Sequence, residues 1–221
     1  MRERPILFSA LMVPPIIDRR KRQTRRIMKS QPYTLRIEGV GYPTKAGGFV
    51  SLQSEHCLNE CPHGVVGDRL WVREGWQTGA KLDSLNATEI AAKCLAAGYP
   101  KPGAPIRYGA DGAVTLWGDN DPVDFGAWGR KRSSRFMPRW ASRLTLQITG
   151  LRVERLQEIS EADVLAEGIE LVSSNCDGEC GRTPCGISRS RFSSLWDSIN
   201  GADAWQANPW VWVITFKLVQ P

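Results

Sequence analysis

The end of the chain constrains its fold most. Residues 210–218, Trp-Val-Trp-Val-Ile-Thr-Phe-Lys-Leu, are the longest β-like run in the sequence. β-Branched and aromatic side chains at that density suit a strand packed on both faces, so the run predicts a central strand that closes a sheet. Upstream, Leu144, Leu146 and Ile148 alternate with polar residues and predict another strand. Gly150 marks a turn or bulge, and Leu151, Val153 and Leu156 continue the sheet. Near the start, residues 5–9 (Pro-Ile-Leu-Phe-Ser) read as a short buried strand, and residues 24–28 begin a second. The Gly67-Asp68 pair is a turn signal before a half-buried strand, with Leu70 and Val72 on one face and Trp71 and Arg73 on the other.

Helical signals are short. Residues 10–18 allow a brief helical segment whose first turn holds Pro14 and Pro15, since proline is tolerated only there. Residues 88–97 place Ile90, Ala91, Cys94 and Leu95 at helical spacing. Ser160-Glu161-Ala162-Asp163 is an N-cap signature, and the helix it opens should end at Gly168 with Ala162, Leu165 and Ala166 as its apolar face. Residues 189–199 carry a stripe of Phe192, Leu195, Trp196 and Ile199, stopped by Asn200-Gly201. Residues 30–66 are rich in Gly and Pro, with a hairpin expected from 36–40 and 49–52; a second hairpin is expected around residues 109–112. Together these predict a single α+β domain over 1–221: a small β-barrel flanked by short helices, with insertions at 77–135 and 172–188.

Composition sets the bounds. A chain of 221 residues, 42% hydrophobic and 24% charged, is typical of a soluble globular domain. Nothing approaches the roughly 18 consecutive apolar residues of a membrane span, and the start lacks the pattern of a cleaved leader. A cytoplasmic protein without a membrane partner is expected, and in such a compartment six cysteines do not predict a disulfide framework. Cys57 and Cys61, beside His56 and His63, together with Cys176, Cys180 and Cys185, could supply four thiolates to one structural zinc. Their spacing is looser than that of a zinc knuckle, and they otherwise read as loop thiols; Cys94 reads as a small buried hydrophobe. No other metal or cofactor is expected.

Charge is concentrated. Net charge is +6, and Arg19, Arg20, Lys21, Arg22, Arg25 and Arg26 surround Thr24. A lysine among cations gives up its proton more easily, and a hydroxyl three residues away could then act as a nucleophile. The plainer alternative is a solvated basic turn. A second cluster, Arg130, Lys131, Arg132, Arg135, Arg139 and Arg143, is interleaved with Trp128, Phe136 and Trp140. Cations among flat rings suit phosphate contact with base stacking, although core aromatics with a cationic rim give the same pattern.

These pieces resemble an ASCH domain, a relative of the PUA barrel. Members carry Gly-Arg-Lys-Thr-x-Thr-x-Arg after the first strand and short helix. Here Arg20, Lys21, Thr24 and Arg26 match, while Arg19 stands for the glycine and Arg22 for the first threonine. Gly67-Asp68 followed by Leu70-Trp71-Val72 is similar to the second family signature. Gly-Asp-Arg-Leu-Trp-Val-Arg-Glu and Met-Pro-Arg-Trp-Ala-Ser-Arg are shared with longer ASCH-type proteins of phages and prophages. One branch of the family is an amidohydrolase that removes acetyl from N(4)-acetylcytidine with a lysine, a threonine and a glutamate. The resemblance implies Lys21, Thr24 and Glu167 in those roles, the glutamate by register from Ser160.

Arg20, Arg25, Arg26, Trp71, Arg73, Arg139 and Trp140 are then the expected contacts to a modified nucleoside or to RNA or DNA, with Trp71 or Trp140 stacking on a base and Arg26 or loop amides holding an oxyanion. Two alternatives stay open on the same residues. One is a binding module without chemistry, whose basic groove joins residues 19–26 to 130–143. The other is a ribonuclease, for which His56 and His63 are the available histidines.

Overall fold

The computed structural model describes residues 1–35, 39–43, 49–52, 54–115, 127–170 and 187–219. In chain order the elements are β1 (Glu3–Leu7), α1 (Val13–Ile17), β2 (Gln23–Ile27), β3 (Tyr33–Leu35), β4 (Gly39–Pro43), β5 (Phe49–Ser51), α2 (Glu55–Asn59), β6 (Arg69–Arg73), β7 (Trp76–Gln77), α3 (Ala87–Ala96), β8 (Ile106–Tyr108), β9 (Val114–Thr115), β10 (Thr145–Arg155), α4 (Glu161–Ala166), α5 (Ile187–Asn200) and β11 (Trp210–Val219). The content is mixed α+β. Among the described residues the strands form open sheets and no barrel closes. The chain divides into two compact units: Met1–Arg2, Asp18–Asp68 and Gln147–Lys217 form the first, and Glu3–Ile17, Arg69–Leu146 and Leu218–Pro221 the second.

In the first unit β11 lies between β10 and β2. It pairs antiparallel with β2, with Ile214 opposite Thr24 and Val213 opposite Arg25. Val211, Val213 and Ile214 are fully buried, as the apolar run requires. β10 runs without interruption through Gly150 for 11 residues. A side chain at Gly150 would stand 3.4 Å from the Thr215 side chain, so this glycine permits close packing of the strand instead of ending it. The edge of β2 is not left bare. The Arg22 amide, just before β2, donates to the Ala166 carbonyl at the end of α4 (2.7 Å), so the helix end covers the start of this edge strand.

The packed face of this sheet carries α4 and α5. Val211 and Val213 meet Leu156, Ile159, Val164, Phe192 and Trp196 in one buried cluster. α4 starts where its sequence directs: the Ser160 side chain accepts from the Asp163 amide, and the Asp163 side chain accepts from the Ser160 amide. This reciprocal cap stabilises the first turn by about 1 kcal/mol. Gly168, at φ 87°, ends the helix in the left-handed region. The inward face differs from the one read from periodicity. Val164 is fully buried while Leu165 is 39% exposed, because so short a helix touches the sheet along one line. α5 shows the same narrowing: Phe192 and Trp196 are buried, and Ile199, one turn later, is 49% exposed. In residues 30–66 a hairpin forms as expected, with β4 and β5 paired antiparallel, and the unexpected element is α2, capped by Ser54, whose side chain accepts from Cys57 N. The 36–38 portion of the expected first hairpin arm lies outside the described residues.

In the second unit β1 and β6 pair in parallel, from Glu3 opposite Arg69 to Leu7 opposite Arg73. β6 is not half-buried. Leu70, Trp71 and Val72 are all buried, so both its faces are covered at the centre. β7, β8 and β9 form a small antiparallel sheet within the region expected as an insertion. Trp76, Ile106, Tyr108, Met137 and Ala141 make a core there, with Ala87 and Trp140 packed against it. α3 begins at Asn86, whose side chain accepts from the Thr88 and Glu89 amides while Glu89 answers the Asn86 amide. No helix among the described residues is long and apolar enough to cross a membrane.

Candidate functional site

The basic segment before β2 is fixed by its main chain. Arg19 takes φ 61°, the left-handed conformation, at the position where the resembled motif has glycine. The Arg22 amide donates to Ala166 O (2.7 Å), and the Phe216 amide donates to Arg22 O (2.8 Å). With its neighbour held on both sides, Lys21 is drawn inward to 2% exposure, although five other cations lie within this stretch of sequence.

Lys21 Nζ donates to Glu167 Oε2 at 2.6 Å and to the Glu167 main-chain oxygen at 2.8 Å. Glu167 is the C-cap residue of α4 and is 5% exposed. Its inward direction follows from helical spacing: it lies three residues after Val164, the residue that docks the helix. Arg25 extends the cluster. Its guanidinium meets Glu154 at 2.5 Å, Glu167 at 3.2 Å and Asp163 at 3.3 Å, with the arginine side chain wholly buried. Arg152 adds contacts to Glu154 (2.8 Å) and Asp163 (3.0 Å), and Gln23 Nε2 donates to Asp163 (3.0 Å). Lys21, Arg25 and Arg152 thus face Glu154, Asp163 and Glu167, a formally neutral set. That balance permits burial of charges that would each cost several kcal/mol alone.

Lys21 and Asp163 are among the groups here that titrate away from their ordinary values. Burial pushes the Lys21 amine down and outweighs the attraction of Glu167; Arg26 and Arg25 push in the same downward direction. For Asp163, burial works upward. Hydrogen bonds from Gln23 and Ser160 and the charges of Arg152 and Arg25 outweigh it, holding the carboxyl at about 2. The amine at the centre of the cluster therefore holds its proton less tightly than a solvated lysine.

Thr24 is 3% exposed and sits on β2 between Gln23 and Arg25. Side chains alternate along a strand, so Thr24 and Arg26 point to the face opposite Gln23 and Arg25. Their cross-strand partners there are the buried Ile214 and Trp212. The Thr24 hydroxyl forms no hydrogen bond with the described residues. Arg26 is mostly enclosed and interacts electrostatically with Glu167. Arg20 lies at the surface, paired with Asp18 (3.1 Å) and Glu170 (3.0 Å). The structure thus joins Lys21 to Glu167 directly, surrounds Arg25 with acids of the protein itself, and leaves Thr24 outside that hydrogen-bonded set.

The other expected contact residues belong to the second unit. Arg73 stacks over the Trp71 ring at 4.6 Å and donates to Arg135 O (3.1 Å), and Trp71 is 8% exposed. Arg139 pairs with Glu3 at 3.0 Å and reaches Thr145. Trp140 packs edge-on against Trp76, with centroids 6.1 Å apart. Cys57 and Cys61 are buried and not joined in a disulfide, and burial pushes Cys57 up to about 11. Cys176, Cys180 and Cys185, the remaining ligands of the expected zinc, lie outside the described residues. Among the described residues no group of three or more His, Cys, Asp or Glu is placed to hold a metal ion.

Glu154, Asp163 and Arg152 were not anticipated as members of the cluster. Asp163 carried the signal of a helix cap and performs that role as well. For Glu154 and Arg152, alternation along β10 puts both on one face of the strand, but nothing in the sequence says that β2 brings Arg25 to that face. No family model, curated protein or solved structure matches the chain.

Proposed function

We propose that the first unit carries an amide hydrolase for an N-acylated, cytidine-type nucleoside, on a fold related to the PUA-like barrels, with Lys21 and Glu167 as an acid–base pair and Thr24 as the nucleophile. The observation that carries this reading is the contact of 2.6 Å between an amine and a carboxylate 146 residues apart in sequence, both nearly sealed from water. Two further features support it. Burial lowers the affinity of Lys21 for its proton, which suits a general base. Arg19 also adopts the left-handed backbone that the glycine of the resembled loop would supply without strain.

The chemistry balances as follows. Lys21 first passes its proton to Glu167 and then takes the proton of Thr24 as Oγ1 bonds to the acyl carbon. The carbon–nitrogen bond then breaks, and Lys21, relayed through Glu167, returns that proton to the departing exocyclic amine. Water next hydrolyses the threonyl ester, releasing the carboxylic acid and restoring the hydroxyl. Arg26, on the Thr24 face of β2, supplies positive charge for the oxyanion. Thr24 lies on the face of β2 opposite Arg25, so the mechanism requires the segment before β2 to turn the Lys21 amine to the Thr24 face when substrate binds.

The test is acetate release from N(4)-acetylcytidine. Wild type is expected to turn over, Thr24→Ser to retain part of the rate, and Thr24→Ala and Lys21→Ala to lose it. Absence of acetate release by the wild-type protein, or full activity in Thr24→Ala, removes the proposal.

A further inference from the structure

A cavity of about 610 Å³ opens within the second unit, built wholly from residues outside the Lys21 cluster. This falls in the roughly 300–1,000 Å³ range of small-ligand sites. Its lining includes Trp76, Thr88, Arg130, Lys131, Ser133 and Phe136. The wall is rigid. Trp76 is 1% exposed, held edge-on by Trp140, and covered by the Arg132 guanidinium at 5.3 Å. Arg132 is itself fixed, donating to Leu82 O (2.8 Å) and Leu85 O (2.9 Å). The Trp76 indole N–H has no acceptor among the described residues.

The rim is different in kind. Phe136, at the end of a 3-10 turn, is 69% exposed, leaving a flat apolar face in water. Arg130 and Lys131 are exposed, and neither side chain forms an ion pair among the described residues. The nearby carboxylate, Asp83, turns both oxygens to the Arg130 main-chain amide (2.9 and 3.0 Å) and lies 3.9 Å from Arg132. The first-turn amides at Thr88 and Glu89 are already satisfied by Asn86. Attraction for an anion therefore comes from the Arg130 and Lys131 side chains and not from the start of α3.

We infer that this cavity binds a nucleotide unit, with the base stacked on Phe136 and the phosphate held by Arg130 and Lys131. An aromatic face and unpaired cations on one rim, above an aromatic wall, match a ligand that is flat at one end and anionic at the other. An acidic peptide would satisfy the cations and leave the Phe136 face in water. The inference does not depend on the chemistry proposed for Lys21 and Glu167.

Calorimetric titration tests it, with cytidine 5′-monophosphate, cytidine, inorganic phosphate, octacytidylate and a poly-glutamate peptide as probes. The monophosphate is expected to bind at least tenfold more tightly than cytidine or phosphate. Phe136→Ala should weaken it roughly 5- to 150-fold, the range expected for loss of one stacked base. The Arg130→Ala/Lys131→Ala double variant should weaken binding and flatten its salt dependence. All three side chains are exposed, so these variants fold. Octacytidylate binding more than tenfold tighter than the monophosphate would identify one residue of a single strand as the occupant, whereas equal affinity would identify the free nucleotide. Unchanged monophosphate binding in both variants, or tighter binding of the acidic peptide, overturns the inference. A protein that releases acetate but fails this titration separates the two proposals.

Discussion

Breaking the Lys21–Glu167 pair should cost far more than removing it whole. The lysine side chain is 0% exposed and the glutamate 4%, so a single substitution leaves its partner in a medium that solvates charge poorly. Breaking a buried pair costs about 3–5 kcal/mol, whereas replacing both members with apolar residues of similar volume is neutral or stabilising by about 1–4 kcal/mol. The two single variants should also differ. Lys21→Met leaves Glu167 with Arg25 at 3.2 Å. Glu167→Leu strips the carboxylate from Lys21, while Arg25 keeps Glu154 and Asp163. Glu167→Leu should therefore be the more damaging single change, and the Lys21→Met/Glu167→Leu double variant should recover most of the loss. Urea denaturation measures this directly. With a slope of roughly 2–3 kcal/mol/M for a chain of this size, a loss of about 4 kcal/mol moves the midpoint down by about 1.5 M. Single variants costing under about 1 kcal/mol, or a double variant whose loss is the sum of the singles, would show that the pair behaves as a solvated surface contact.

Two other outcomes follow from local geometry and charge. Arg19→Gly should leave the melting temperature unchanged or raise it, whereas Arg19→Val, β-branched at φ 61°, should lower it by several degrees, corresponding to about 1–2 kcal/mol; equal melting temperatures would mean that the left-handed conformation is not held in solution. Asp163 holds its carboxyl at about 2 against an ordinary value of 3.8, so the unfolded chain takes up the proton first as pH falls. Its contribution, about 1–2 kcal/mol once solvent screening of the partly exposed carboxylate is allowed for, is present above pH 4 and is lost as pH falls toward 2. Denaturation midpoints should drop over that interval in the wild-type protein and drop less in Asp163→Asn; parallel curves would refute the assignment.

Local signals in the sequence were legible where one residue type has one good use. The Ser160 cap and Gly168 stop bound α4, because a short hydroxyl and a residue without Cβ each satisfy a chain end that others cannot. The apolar run at the C-terminus became β11, since its side chains can be satisfied only by burial. Less legible were elements whose signal is shared with loops. α2 rests on one Ser54 cap in a glycine- and proline-rich region. Periodicity chose the wrong face of α4, where Val164 and not Ala162 or Leu165 turns inward, and overstated that of α5, where Ile199 stands exposed: six residues give too short a pattern to set direction, and only the neighbouring sheet sets how far contact extends.

The sequence by itself determined which segments extend and which coil, and it placed six cations around Thr24. It also put Lys21 two residues ahead of a strand, where alternation separates Arg25 from Thr24. Only the tertiary structure decided what each of those charges meets. The register of β2 on β11 and the docking of α4 through Val164 bring Glu154, Asp163 and Glu167 to one side of the strand, from positions 129 to 146 residues away. Charge attraction is nondirectional and reaches whatever the packing of apolar side chains carries into range, so two cations of the basic run, Lys21 and Arg25, became members of a buried cluster with acids from distant elements, while Arg19, Arg20 and Arg22 stayed exposed.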